Sequence, residues 1–181
     1  MTRTVIVIPI MYSREELKKS LGMVPEDFEE VSSEFWSYVE GKLKPFIGRI
    51  YAVYSEKAAS TKETGSRLDA VLKRFEGHAE FHCVEDPLLA AEAEAWVELM
   101  KNERNQAIQD LLEENRRDRD AHAIGILERT LEDGKIGVLF IDPARKLSFS
   151  EAFKVIRMCP FDPVDYLNRY LAKLRIEEKR K

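Results

Sequence analysis

The residues best suited to chemistry follow four segments of the chain that read as strands. Met11, Tyr12 and Ser13 follow the first, Ser55 and Glu56 the second, Glu85 and Asp86 the third, and Asp142 and Arg145 the fourth. If the four segments are parallel strands of one sheet, these groups meet on a single rim, since open α/β sheets bind ligands beyond the carboxyl ends of their strands. Several carboxylates with a tyrosine and an arginine suit a cation, a polar metabolite or a phosphate. Tyr12, Ser13, Glu56, Glu85, Asp142 and Arg145 are therefore the ligand-binding candidates, with Arg119 added below. Each also has a plainer reading as an exposed loop residue or a helix cap, and most residues of these types in such places are that.

His78, His82, Cys83, Glu85 and Asp86 form the one local cluster of metal-ligand types. On a strand, His82 and Cys83 point to opposite faces. Zinc sites pair two close ligands with a second pair downstream, and no such second pair follows, so no metal is assigned there. His122 stands in a helical stretch near Asp118, where an ion pair is the expected role. The chain has no P-loop, no Gly-x-Gly-x-x-Gly and no Gly-x-Ser-x-Gly, which argues against nucleotide binding by those routes and against the usual serine-hydrolase elbow. No cofactor is evident. A divalent cation held by oxygens would be calcium or magnesium rather than zinc.

The elements that must position these groups are legible in the periodicity. Thr4–Ile10 is continuously apolar, as a strand covered on both faces should be. Ser13 and Glu16 make a capping box for a short helix that stops at Gly22. Pro25-Glu26-Asp27 opens a second helix, and Phe28, Val31, Phe35 and Val39 form its apolar stripe. Gly41 and Pro45 end or kink it. Residues 47–54 have strand composition. Residues 55–66 read as the longest loop, 68–75 as a short helix and 80–84 as a third strand. A bent or broken pair of helices spans roughly 87–132, and Asp133-Gly134 stops it. Ile136–Ile141 is the fourth strand. Residues 149–158 and 163–176 read as two closing helices. The alternation predicts a single α/β domain over 1–181, with a mainly parallel sheet of about four strands packed with helices and a frayed basic C-terminal end.

Composition narrows the partners. Charged residues make up 34% of the 181, well above the usual quarter, which fits helix surfaces laced with Glu/Lys and Glu/Arg pairs. The net charge of −4 and the confinement of dense basic sequence to Lys173–Lys181 argue against nucleic acid. The first apolar run is broken by Pro9 and is too short for a signal segment or a membrane span, so a cytoplasmic location is expected. Cys83 and Cys159 are far apart and imply no disulfide framework. Cys159 precedes Pro160 in an apolar setting and reads as an inert thiol.

Two stretches carry a family likeness. The opening Val5-Ile-Val-Ile-Pro-Ile-Met-Tyr-Ser-Arg-Glu-Glu-Leu17 resembles the start of the TraB/pheromone-shutdown group, related to the Tiki-type metallohydrolases. In that group a strand runs into a Gly-x-x-His motif and a Ser-Arg-Glu-like helix start. The stretch from Arg119 through Asp142-Pro-Ala-Arg145 is similar to its Glu-Arg-Asn/Asp helix followed by a strand and a second Gly-x-x-His. Together they cover about a quarter of the chain. Where the histidines would fall this sequence has Met11 and Arg145, and the motif glycines are replaced by Ile8 and Asp142. The resemblance implies a relative that keeps the scaffold without the metal-binding histidines, with a rebuilt pocket containing Asp142 and Arg145. Arg119 is the polar position that matches, and so joins the candidates.

Three functional readings follow. The first is an α/β protein, not itself catalytic, that binds a small polar or anionic ligand at the strand ends. The second is a hydrolase using Glu56, Glu85 or Asp142 with a divalent cation. The third is an assembly protein that forms a homo-oligomer through the helical faces of 26–40 and 87–132.

Overall fold

The computed structural model describes residues 2–56, 66–102 and 105–178. Most of the expected 55–66 loop, positions 103–104 of the long helical stretch and the last three residues of the basic tail lie outside the described residues.

Five parallel strands form one sheet: β1 (Arg3–Pro9), β2 (Ile50–Ser55), β3 (Glu80–Cys83), β4 (Ile136–Ile141) and β5 (Phe153–Arg157), in the order β3-β2-β4-β1-β5. The α/β class with a parallel sheet is thus as expected, with one strand more than expected. Six α-helices surround the sheet: α1 (Arg14–Leu21), α2 (Phe28–Leu43), α3 (Arg67–Lys73), α4 (Pro87–Asn102), α5 (Gln106–Thr130) and α6 (Pro163–Glu178). A 3-10 turn at Lys44–Arg49 carries Pro45 in its first turn and takes the place of the first residues expected in the second strand. None of the helices of the described residues is long and apolar enough to cross a membrane.

The strands alternate their side chains between two apolar layers. One layer sets Ile6, Ile8, Val53, Val138 and Phe140 against Leu17 of α1, Phe35, Trp36 and Val39 of α2, Leu68 and Val71 of α3, and Tyr166 of α6. The other sets Val5, Ala52, Tyr54, Leu139 and Ile141 against Ala123, Leu127 and Leu131 at the end of α5. Gly137 makes the second layer fit. A Cβ there would stand 2.9 Å from Tyr54 Cε2 and 3.3 Å from Leu131 Cδ2, so the missing side chain is what admits the tyrosine ring to the sheet. Tyr54 is then fixed at both ends, with its hydroxyl 2.9 Å from Thr130 Oγ1 and its ring stacked on His82 of the neighbouring strand at 5.2 Å.

The helix expected over 149–158 is a correction. Residues 153–157 form β5, hydrogen-bonded along β1 from Arg3↔Phe153 to Val7↔Arg157. Phe153 is buried while Val155 and Ile156 stay exposed on this edge strand. Its apolar residues therefore show no one-sided pattern, and the open edge of β1 decided the matter.

Candidate functional site

All five strands point the same way, so all of their carboxyl ends share one rim. The chain leaves β1 toward the layer of α1 and α2. It leaves β4 through 142–152, whose Leu147 and Phe149 pack in the opposite layer. β1 and β4 are neighbours, so the rim between them is a topological switch point, where such sheets form their ligand crevice.

Asp142-Pro-Ala-Arg145 is folded by its own sequence. Proline presets the second turn position and the aspartate bonds back to the chain two residues on. Accordingly Arg145 N donates to Asp142 O at 3.0 Å, and Ala144 N to Asp142 Oδ1 at 2.7 Å. The turn directs the Arg145 side chain into the protein, where it is only 6% exposed. Its Nε donates to Asp120 Oδ1 at 2.7 Å. Its Nη1 donates to Glu56 Oε1 at 2.6 Å and more loosely to Glu85 Oε2 at 3.4 Å. Its Nη2 is buried with no hydrogen-bond partner.

The surrounding carboxylates are held in turn. The second oxygen of Glu56 accepts from Asp142 N at 2.8 Å. Glu85 takes a two-pronged grip from Arg119, with Nε at 2.9 Å and Nη2 on the other oxygen. Arg116 reaches across to the Ala144 carbonyl. Burial pushes the Glu56 carboxyl above its ordinary 4.5, against the pull of Arg145 and of the Asp142 amide. The pairing with Glu85 raises Arg119 still further. Tyr12 lies at the β1 side of the rim. Burial first, and then the charges of Asp142, Asp162 and Glu16, push its phenol up to about 12, so it is a neutral donor over the working range of a cell.

Of the residues expected at the rim, Glu56, Glu85, Arg119, Asp142 and Arg145 form one connected network, and Tyr12 is electrostatically linked to it through Asp142. Ser13 stands apart. Its hydroxyl accepts from Glu16 N while the Glu16 carboxylate accepts from Ser13 N, so it is spent as a helix cap. Asp86 is likewise a cap, accepting from Leu88 N at 2.8 Å. Asp120 was missed. It follows Arg119 on α5, and only the tertiary approach of α5 to the 142–145 turn reveals that the two adjacent residues serve different partners.

Cys83 is exposed, with its thiol directed to the carbonyls of Glu56 and Glu85. Among the described residues, no three His, Cys, Asp or Glu side chains are arranged to hold a metal ion. At the two positions where the family likeness would place histidines, Met11 is buried in the apolar layer and Arg145 is engaged by carboxylates. No protein-family model, curated protein or solved structure matches the chain.

Proposed function

We propose that this protein binds a small polar molecule at the carboxyl rim of β1, β2 and β4, with Arg145 as its anchor. The observation that carries the reading is the buried guanidinium, held on Nε and Nη1 and unpartnered on Nη2. A buried donor without an acceptor costs about 1–3 kcal/mol, and a ligand oxygen that accepts from Nη2 would remove that cost. Four carboxylates, Glu56, Glu85, Asp120 and Asp142, stand against three guanidiniums, Arg116, Arg119 and Arg145. That surplus favours a neutral or singly charged molecule bearing a carbonyl or hydroxyl oxygen over a polyanion. Tyr12, protonated and beside Asp142, supplies a second donor. The carboxylates point at guanidiniums and backbone amides, so the cation-dependent hydrolase draws no support from their orientation. The TraB-like scaffold remains part of the proposal as the source of the rim, without that family's metal chemistry.

The test is thermal stabilisation of the full chain by a panel of small amides, polyols and hydroxy acids. At least one compound should raise the melting temperature of the wild type. Asp142→Asn and Tyr12→Phe, which keep the turn and the packing, should reduce that shift without lowering the ligand-free transition. A panel that moves nothing, or a shift that both variants retain in full, would sink the reading.

A further inference from the structure

A cavity with a volume of about 780 Å³ lies between α2 and α6, lined by none of the residues of the Arg145 network. Small-molecule pockets occupy roughly 300–1,000 Å³. Its walls are two regular helix faces. Asp27, Val31 and Glu34 recur at helical spacing along α2, with Glu26 just before them. Tyr166, Arg169, Tyr170 and Lys173 recur at the same spacing along α6. Faces of this kind normally close on each other. Here they leave a groove.

The groove has a fixed base and two charged walls. At the base, Phe161 stacks edge-on against Phe35 at 5.5 Å and is tilted against Tyr166 at 6.2 Å. The Tyr166 hydroxyl donates to Asp27 Oδ1 at 2.9 Å and ties α6 to α2. The α2 wall is acidic and the α6 wall basic. Neighbouring charges find partners, Arg14 with Glu29 at 2.9 Å and Arg157 with Asp162 at 2.7 Å. Glu26, Glu34, Arg169 and Lys173 form no ion pair among the described residues, although opposite charges face each other across the groove. Arg169 makes one bond, from Nε to the Asp165 carbonyl of its own helix.

An aromatic base between separated walls of opposite charge matches one chemical type. We infer that this groove binds a zwitterion with an aromatic body, namely an aromatic amino acid or a short peptide with both termini charged. The ammonium faces Glu26 and Glu34, the carboxylate faces Arg169 and Lys173, and the ring lies on Phe161 and Tyr170. The Asp27–Tyr166 tie holds the two walls in register. This site is separate from the rim proposed above, and either can fail without the other.

The experiment is an amide-resolved NMR titration of the full chain with free L-phenylalanine, the dipeptide Phe-Gly, N-acetyl-Phe-Gly and Phe-Gly amide. Phe-Gly should shift resonances within 26–34 and 161–173. Blocking either terminus should weaken binding about three- to fivefold, the size of one exposed ion pair. Glu34→Gln should weaken Phe-Gly but leave the acetylated form unaffected, and Lys173→Gln should weaken Phe-Gly but leave the amide unaffected. Both side chains are exposed, so both variants should keep the wild-type spectrum elsewhere. If phenylalanine binds as tightly as Phe-Gly, the ligand is the free amino acid; tighter binding of Phe-Gly assigns a peptide. If neither compound shifts these residues, or if the blocked forms bind as well as the free one, the inference is overturned.

Discussion

At the scale of single residues, the molecule is marked by one buried arginine that orders the charges around it. Taking Arg145 away would leave Glu56, Glu85 and Asp120 facing one another with little solvent, and breaking a buried pair in this way costs about 3–5 kcal/mol. Glu56 is the most informative probe of that balance because burial raises its carboxyl above the ordinary 4.5. The folded protein then takes up the Glu56 proton at a higher pH than the unfolded chain does. Stability linked to Glu56 is full below about 4.5 and is lost as the pH rises through the folded value, because the folded state binds more protons across that window. Glu56→Gln mimics the protonated form and removes this dependence. Chemical denaturation across a pH series should show the wild type losing ground against Glu56→Gln as the pH climbs above 4.5. A difference that stays flat, or that moves the other way, would place the carboxyl at or below its ordinary value.

At the scale of elements, those with local signals were readable from the sequence. The capping box of Ser13 and Glu16 and the left-handed Gly22 bound α1 on the expected residues, and Gly134 takes a positive φ of 75° beyond the end of α5. The apolar run of Ile136–Ile141 is the central strand β4. β5 was not readable, since an edge strand with one buried residue has no periodicity to show, and its identity rests on pairing with β1. The rim followed the same division. Glu56, Glu85, Asp142 and Arg145 were found from strand ends, whereas Asp120 lies within a helix and joins them through tertiary approach alone. The groove between α2 and α6 was invisible for the opposite reason: a helical stripe in sequence implies packing, and the gap left between two stripes is a property of their placement.

The same scale identifies the weakest element. None of the described side chains of α4 is buried, and the helix lies against α5 rather than on the sheet. Asn115 of α5, only 4% exposed, donates to Leu89 O at 2.9 Å and Glu92 Oε2 at 2.8 Å. Elements with few buried apolar contacts open locally at lower free energy than the core. Asn115→Ala should raise amide hydrogen exchange along α4 by about tenfold or more, the loss of 1–3 kcal/mol expected when a buried acceptor is stranded. Exchange in β1 and β4 should be unchanged. Equal acceleration in α4 and the central strands would show instead that α4 is cooperative with the whole fold.

For the whole molecule, the strand order decides what must be present for anything to fold. β1 and β2 are consecutive in the chain but never touch in the sheet, because β4 lies between them and pairs with both, from Thr4↔Ile136 to Pro9↔Ile141 on one side and from Ile50↔Ile136 to Ser55↔Phe140 on the other. Both apolar layers also close on β4, through Val138 and Phe140 in one and Leu139 and Ile141 in the other. A chain ending at position 132 would keep three of the five strands and five of the six helices, yet it would lack the strand that joins its two halves. Unpaired buried backbone groups along β1 and β2 are costly, and no other described strand is placed to satisfy them. We therefore expect residues 1–132 to show helical circular dichroism without a cooperative denaturant transition and without dispersed amide resonances. A sharp transition with dispersed resonances in that shortened chain would mean that β1 and β2 can pair directly, and that β4 inserts into a sheet already formed.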